Sequence, residues 1–220
     1  YGARGILVPS RTSTHGYNIH FDEEYIHLFW TTGAAWAAHF FYDYYLYTGD
    51  REFLARRAYP FMKEAAQFYE DFLYTRSDGR YVFNPSYSPE NTPTNSNSQA
   101  SINATMDVAL VKDLLSNLIV ASRTLDADPV ERQQWQTMLS RMPDYLISPE
   151  GALAEWTTPK LLDNHEHRHV SHLVGLFDGL PAEFAEDADL RRAARRVIEE
   201  RMRRRRDDGG GVMSFGLVQL

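Results

Sequence analysis

Thr31-Thr32-Gly33-Ala34-Ala35-Trp36-Ala37-Ala38-His39-Phe40-Phe41-Tyr42-Asp43-Tyr44-Tyr45-Leu46-Tyr47 is the stretch whose reading decides the fold class. Ala34, Ala35, Ala38, Phe41, Tyr42, Tyr45 and Leu46 recur at the 3.6-residue spacing of an amphipathic helix. Gly49 then fits a helix stop, and Asp50 fits the N-cap of a second helix. From there Leu54, Ala58, Phe61, Met62, Ala65, Tyr69, Phe72 and Leu73 keep the same period. Pro60 should kink this segment or open a new helix at its first turn, because it lacks an N–H and crowds the preceding turn. The spacing predicts helices over 31–47 and 51–75, with others at about 105–125, 129–141 and 187–206. The chain reads as all-α.

Two long stretches break the helical period, from about Asp78 to Asn103 and from about Pro143 to Asp187. Tyr81-Val82-Phe83 in the first suits a short strand. Loops of this length in a compact domain carry function or sit over a site. Paired helices joined by alternating short and long loops suit an α/α architecture, in which one end collects the functional loops.

With 220 residues, the chain can build one sizeable core or part of a larger one. Hydrophobic residues make up 43% and charged residues 24%, and no stretch supplies the roughly 18 uncharged apolar residues of a membrane helix. The net charge of −7 argues against nucleic acid as a partner, despite the run Arg203-Arg204-Arg205-Arg206. Leu190, Ala194, Val197 and Ile198 fall on one helical face just before that run, so the arginines read as the solvated faces. The absence of cysteine excludes disulfides, thiolate metal sites and a Cys nucleophile, and leaves the compartment open. Tyr1-Gly2-Ala3-Arg4 is neither a signal peptide nor an initiator Met, and the last residues stop inside an apolar run. A chain cut from a longer polypeptide at both ends is therefore expected.

Chemistry is sought in the two loops. Asn84-Pro85-Ser86-Tyr87-Ser88-Pro89-Glu90-Asn91-Thr92-Pro93 holds Glu90 between two prolines that fix φ and push their predecessors toward extended backbone. A carboxyl group on so stiff a segment suits a general acid, although the same residues also suit an ordinary solvated turn. Asn164-His165-Glu166-His167-Arg168-His169-Val170-Ser171-His172 places four histidines in eight residues. These could contact sugar hydroxyls at a cleft rim, tie the loop to neighbouring helices, or hold a metal ion.

Ser88-Pro89-Glu90-Asn91 followed by Ala100-Ser101-Ile102-Asn103-Ala104-Thr105-Met106-Asp107 is similar to the general-acid stretch of glycoside hydrolase family 95, the α-L-fucosidase family. Trp30-Thr31-Thr32-Gly33-Ala34-Ala35-Trp36 and Tyr47-Thr48-Gly49-Asp50 resemble its helix openings, and His167-Arg168-His169-Val170-Ser171-His172-Leu173 resembles its histidine run. Gly209-Gly210-Gly211-Val212-Met213-Ser214 looks like a degenerate form of its Thr-Gly-Trp-Ser segment.

The resemblance implies a six-hairpin (α/α)6 toroid, with residues 1–220 forming part of one catalytic domain and roughly half of the ring. Other segments of the same polypeptide would complete it. It implies hydrolysis of a terminal glycosidic bond in an oligosaccharide or glycan, with inversion and with neither metal nor cofactor. Glu90 becomes the proton donor. Asn91, Trp30, His167, His169 and His172 become the expected substrate contacts, with Trp30 stacking at the helix entrance while Trp36 packs in the core. A Glu155-Trp156 pair entering the second loop would also reach the cleft.

The family's water is held by an asparagine pair and an aspartate, which the resemblance places outside this chain. Asn18 superficially resembles one of that pair but stands in the wrong place. Should the base lie within the chain after all, Asp22, Glu23 and Glu24 come first. Ser10-Arg11-Thr12-Ser13-Thr14 departs from the family's sugar-recognition segment, which makes fucose itself the weakest part of the expectation. A sugar epimerase, a polysaccharide lyase and a non-enzymatic carbohydrate-binding scaffold remain as rival readings.

Overall fold

A computed structural model describes residues 1–10, 29–177 and 179–208. Asn18, Asp22, Glu23, Glu24 and the Gly209–Ser214 segment lie outside the described residues. The elements are α1 (Gly33–Thr48), α2 (Arg51–Phe53), α3 (Tyr59–Phe72), α4 (Thr105–Leu125), α5 (Pro129–Ser140), α6 (Ala182–Glu186) and α7 (Ala188–Asp208), with one two-stranded hairpin. The chain is all-α, as expected. It divides into two compact units, Tyr1–Asn84 with Leu110–Pro143, and Pro85–Ala109 with Asp144–Leu220.

In the first unit, α1 ends where Gly49 takes a left-handed conformation at φ 69° and its N–H returns to Tyr45 O. Asp50 caps α2 by accepting from the Phe53 N–H at 2.9 Å. A single π-helical turn, Leu54–Ala58, joins α2 to α3. Pro60 explains it: an α-turn there would drive the pyrrolidine ring into the carbonyl four residues back, and widening the turn relieves the clash. The π turn thus leads directly into α3, which carries Pro60 in its first turn, one of the two expected outcomes. This helix stops at Phe72, not at 75, because Leu73 turns extended and Tyr74–Thr75 pairs antiparallel with Tyr81–Val82.

Ala34, Ala35, Ala38 and Tyr42 of α1 are buried, together with Leu54, Ala58, Met62, Ala65 and Tyr69 of the next helical stretch. Leu114, Leu115 and Leu118 of α4 and Trp135 of α5 complete this largely hydrocarbon and aromatic core. The α1 stripe is only half correct, since Phe41 and Leu46 are exposed. The two tryptophans exchange the expected roles: Trp30 is buried at 7% exposure, while Trp36 is 40% exposed. The N-terminal segment docks so closely that a Cβ on Gly33 would stand 2.3 Å from Val8 O, which leaves room for glycine alone.

The second unit has a different interior. Its apolar cluster joins Ala152, Leu153, Val170, Leu173 and Phe184 to Ala193, Ala194 and Val197 of α7, with Leu190 and Ile198 partly buried against it. Around this cluster the two long loops are stitched by hydrogen bonds. Isolated bridges pair Ser86 with Ser101 and Ala104 with Trp156. Ser86 Oγ donates to Asp107 Oδ2 at 2.6 Å, and the Tyr87 N–H donates to the same oxygen at 3.1 Å.

Candidate active site

Ser88, Pro89, Glu90 and Asn91 form a turn closed by the Asn91 N–H donating to Ser88 O at 2.7 Å. Pro89 and Glu90 occupy its centre, so the Glu90 side chain projects from the tip and stays 31% exposed. The Pro89–Glu90 peptide bond is cis. Four residues of the histidine run meet this turn. Arg168 forms an ion pair with the Glu90 carboxylate, and His169 Nε2 lies 3.9 Å from Glu90 Oε2. The Glu90 N–H donates to His167 Nε2 at 3.2 Å, and Ser171 Oγ donates to Pro89 O. Glu90, His167 and His169 are thus brought together, as the sequence suggested.

The imidazoles here are neutral. Burial, followed by the nearby Arg201, pulls His167 down to about 3, and burial followed by Arg168 lowers His169. Neutrality agrees with the hydrogen bond, in which His167 Nε2 accepts and Nδ1 is left to carry the proton. The tip therefore presents one carboxyl group, one guanidinium and two neutral rings, of which His169 can donate or accept while His167, its Nε2 already accepting, can only donate. Such a set suits hydroxyl-rich ligands and proton exchange with an oxygen atom.

Three expected substrate contacts fall elsewhere. Asn91 is fully buried, its amide donating to Glu155 Oε2 at 2.5 Å and to Asn164 O at 3.2 Å while its Oδ1 accepts from the Thr92 N–H. Its polar capacity is taken up by the protein. His172 is 3% exposed, with Nδ1 3.9 Å from Glu155 Oε1, and burial holds it well below its ordinary value. Trp30 belongs to the other unit and is packed edge-on against Trp36 at 5.7 Å. Glu155 and Trp156 do not reach solvent either: Trp156 is fully buried and donates from Nε1 to Ser101 Oγ at 2.9 Å.

Beneath the turn lies a buried polar network that the sequence reading did not anticipate. Glu155 Oε1 accepts from Ser88 Oγ at 2.8 Å, and Oε2 accepts from Asn91 Nδ2 and from Arg201 Nη2 at 2.8 Å. Arg201 also donates to Asn164 O, and the Glu155 N–H donates to Asp163 Oδ1 at 2.9 Å. Burial pushes the Glu155 carboxyl up, while Arg201, Ser88 and Asn91 pull it back. Asn91 Nδ2 and Arg201 Nη2 can only donate, so Oε2 is held as an acceptor. Asp163 is raised to about 7, chiefly by burial.

Arg201 corrects the reading of the α7 arginines as solvated. It continues the Ala194, Val197 stripe by four residues and is 4% exposed. A cation on an apolar stripe demands a buried anion, and that was the available signal. Glu155 gave none, because nothing local distinguishes it from a surface carboxylate.

A sequence model of the glycosyl hydrolase family 95 catalytic domain matches residues 1–214. Among curated proteins, Alpha-L-fucosidase 2 of Arabidopsis thaliana is 32% identical over 174 residues, covering 74% of this chain and 20% of that protein. Probable alpha-fucosidase A of Aspergillus niger is 29% identical over 150 residues, covering 66% of this chain and 19% of that protein. The chain thus spans about a fifth of the length of these relatives.

Proposed function

The chain belongs to glycosyl hydrolase family 95, and from that premise we propose that it supplies the general acid of a glycosidase. In this reading Glu90 protonates the leaving glycosidic oxygen of a terminal sugar, an α-L-fucoside or a related glycoside. The observation that carries it is the carboxylate at the tip of the Ser88–Asn91 turn, partly exposed and facing Arg168 and His169.

When Glu90 gives up its proton it becomes an anion. Arg168 stands where it stabilises that anion, so the charge left by the transfer meets a fixed counterion. His167 and His169, neutral and half-buried, offer hydroxyl partners beside the reacting oxygen without adding charge. The reaction inverts configuration: a water attacks the anomeric carbon from the face opposite Glu90, held by groups about 6.5–9.5 Å from the acid. Those groups are supplied by parts of the polypeptide outside this chain.

The test is Glu90→Gln in the full-length protein. Turnover on an alkyl glycoside should fall by roughly 10²–10⁴-fold, the usual worth of general acid catalysis. The loss should shrink on a glycosyl fluoride, whose leaving group needs little protonation. An equal loss on both substrates would assign Glu90 to binding. Following the product by NMR separates the rival chemistries: retained configuration, an unsaturated sugar or an epimer would each overturn inverting hydrolysis.

A further inference from the structure

The turn that carries Glu90 is gripped at both corners by a single carboxylate. Ser88 and Asn91, its first and last residues, are fully buried and reach opposite oxygens of Glu155, at 2.8 and 2.5 Å. Glu155 is itself 1% exposed and pinned by Arg201 from α7 and by its own N–H to Asp163. Two hydrogen bonds from one rigid group fix a turn against both tilt and twist, which a single bond cannot do. At 1% exposure, Glu155 has almost no surface to offer a substrate. Its burial beside an arginine is expensive, and such pairs are often replaceable by hydrocarbon without loss of stability. Stability alone therefore does not account for it.

We propose that Glu155 is a positioning residue for proton transfer: by holding Ser88 and Asn91 it sets the aim of Glu90 at the glycosidic oxygen. The proposal rests on Glu90 being the general acid. A misplacement of about 1 Å costs on the order of 10²-fold in rate. Loosening the clamp should therefore resemble a partial loss of the acid rather than a loss of binding. Because the acid matters most when the leaving group is poor, the defect should depend on the leaving group in the same sense as that of Glu90→Gln.

Ser88→Ala removes one of the two grips while leaving the Glu155–Arg201 pair intact. Glu155→Gln keeps the shape but removes the charge that faces Arg201 and, with its oxygen toward Asn91 and Arg201, turns its amide donor toward Ser88 Oγ. Both are compared with Glu90→Gln in the full-length protein, on an alkyl glycoside and on the matching glycosyl fluoride, with thermal unfolding measured alongside. The expected result is a kcat loss of roughly 10–10²-fold on the alkyl glycoside, at most a few-fold on the fluoride, and an unchanged KM. If Glu155→Gln fails to fold, Ser88→Ala decides. Equal losses on both substrates for Ser88→Ala, or no loss at all, would overturn the clamp while leaving the Glu90 assignment standing. Loss of leaving-group dependence in Glu90→Gln itself would remove the acid reading, and the clamp with it.

Discussion

The two compact units differ in what they bury. The unit built on α1, α3, α4 and α5 fills its interior with Leu54, Met62, Tyr69, Phe83, Leu115, Leu118 and Trp135. The unit built on the two loops and α7 also buries Ser86, Ser88, Asn91, Ser101, Asp107, Glu155, His172 and Arg201. Hydrocarbon packing tolerates many sequences of similar volume, whereas a buried polar group must find a partner or cost free energy. The first unit, whose buried polar side chains among the described residues are Thr31, Thr32, Lys112 and Ser122, is thus specified mainly by shape. The second is specified more nearly atom by atom.

The sharpest test of that contrast compares one deletion in each interior. Arg201→Met keeps most of the side-chain volume but strips buried Glu155 of its counterion, leaving only the Ser88 and Asn91 hydrogen bonds, and should destabilise by about 3–5 kcal/mol. Leu115→Ala in α4 removes volume and no charge, and should cost about 2–5 kcal/mol. The informative follow-up is the volume-conserving Leu115→Met, expected to cost under about 1.5 kcal/mol. Chemical denaturation measures all three. If Arg201→Met were as mild as Leu115→Met, the distinction between the two interiors would fall.

The second test uses pH. The folded chain holds His167 at about 3 against an ordinary 6.5, so between these values the unfolded chain binds a proton that the folded one refuses. That contribution is full above pH 6.5 and is lost as pH falls toward 3. Asp163 acts with the opposite sign. Raised to about 7 from 3.8, it keeps its proton when folded, so its contribution is full below about 4 and is lost as pH rises through 7. Tm should accordingly fall less on acidification from 6.5 to 4 in His167→Asn than in the parent, and more in Asp163→Asn. Parallel curves for either variant would contradict the environment described for that residue.

The smallest effect is expected at the tip. Arg168 and Glu90 form a pair like that of Arg201 and Glu155, but with side chains 42% and 31% exposed instead of 3% and 1%. Solvent screens such a pair, so Arg168→Ala should change stability by less than about 1 kcal/mol. A larger loss would mean that the tip is part of the structural network and not separate from it.

Much of this was legible beforehand, for identifiable reasons. The helices carry a 3.6-residue stripe, and the Gly49 stop and Asp50 cap are local chemistry that needs no tertiary partner. Glu90 was marked as a candidate by the prolines around it together with the family resemblance, and His167 and His169 by their density in sequence. The residues found buried against expectation have a common cause. Trp30, Asn91 and His172 were placed by residue type, and an indole, an amide or an imidazole serves equally at a sugar face or inside the protein. Pro60 falls in the first turn of α3, one of the two expected outcomes, and the π turn before it is what local spacing did not foretell.

The sequence by itself determined the all-α class, the end of α1 and the start of α2, the apolar face of α7 and the loop that holds Glu90, because each depends on residues within a few positions of one another. Only the tertiary structure decided which polar residues face outward and which are consumed inside. Ser88 and Asn91 meet Glu155 across 67 and 64 residues, and Arg201 meets it across 46. No periodicity or local spacing encodes a contact at that separation. The partner that makes a buried charge tolerable is brought up by the fold, and the role of each residue is fixed only once that partner has arrived.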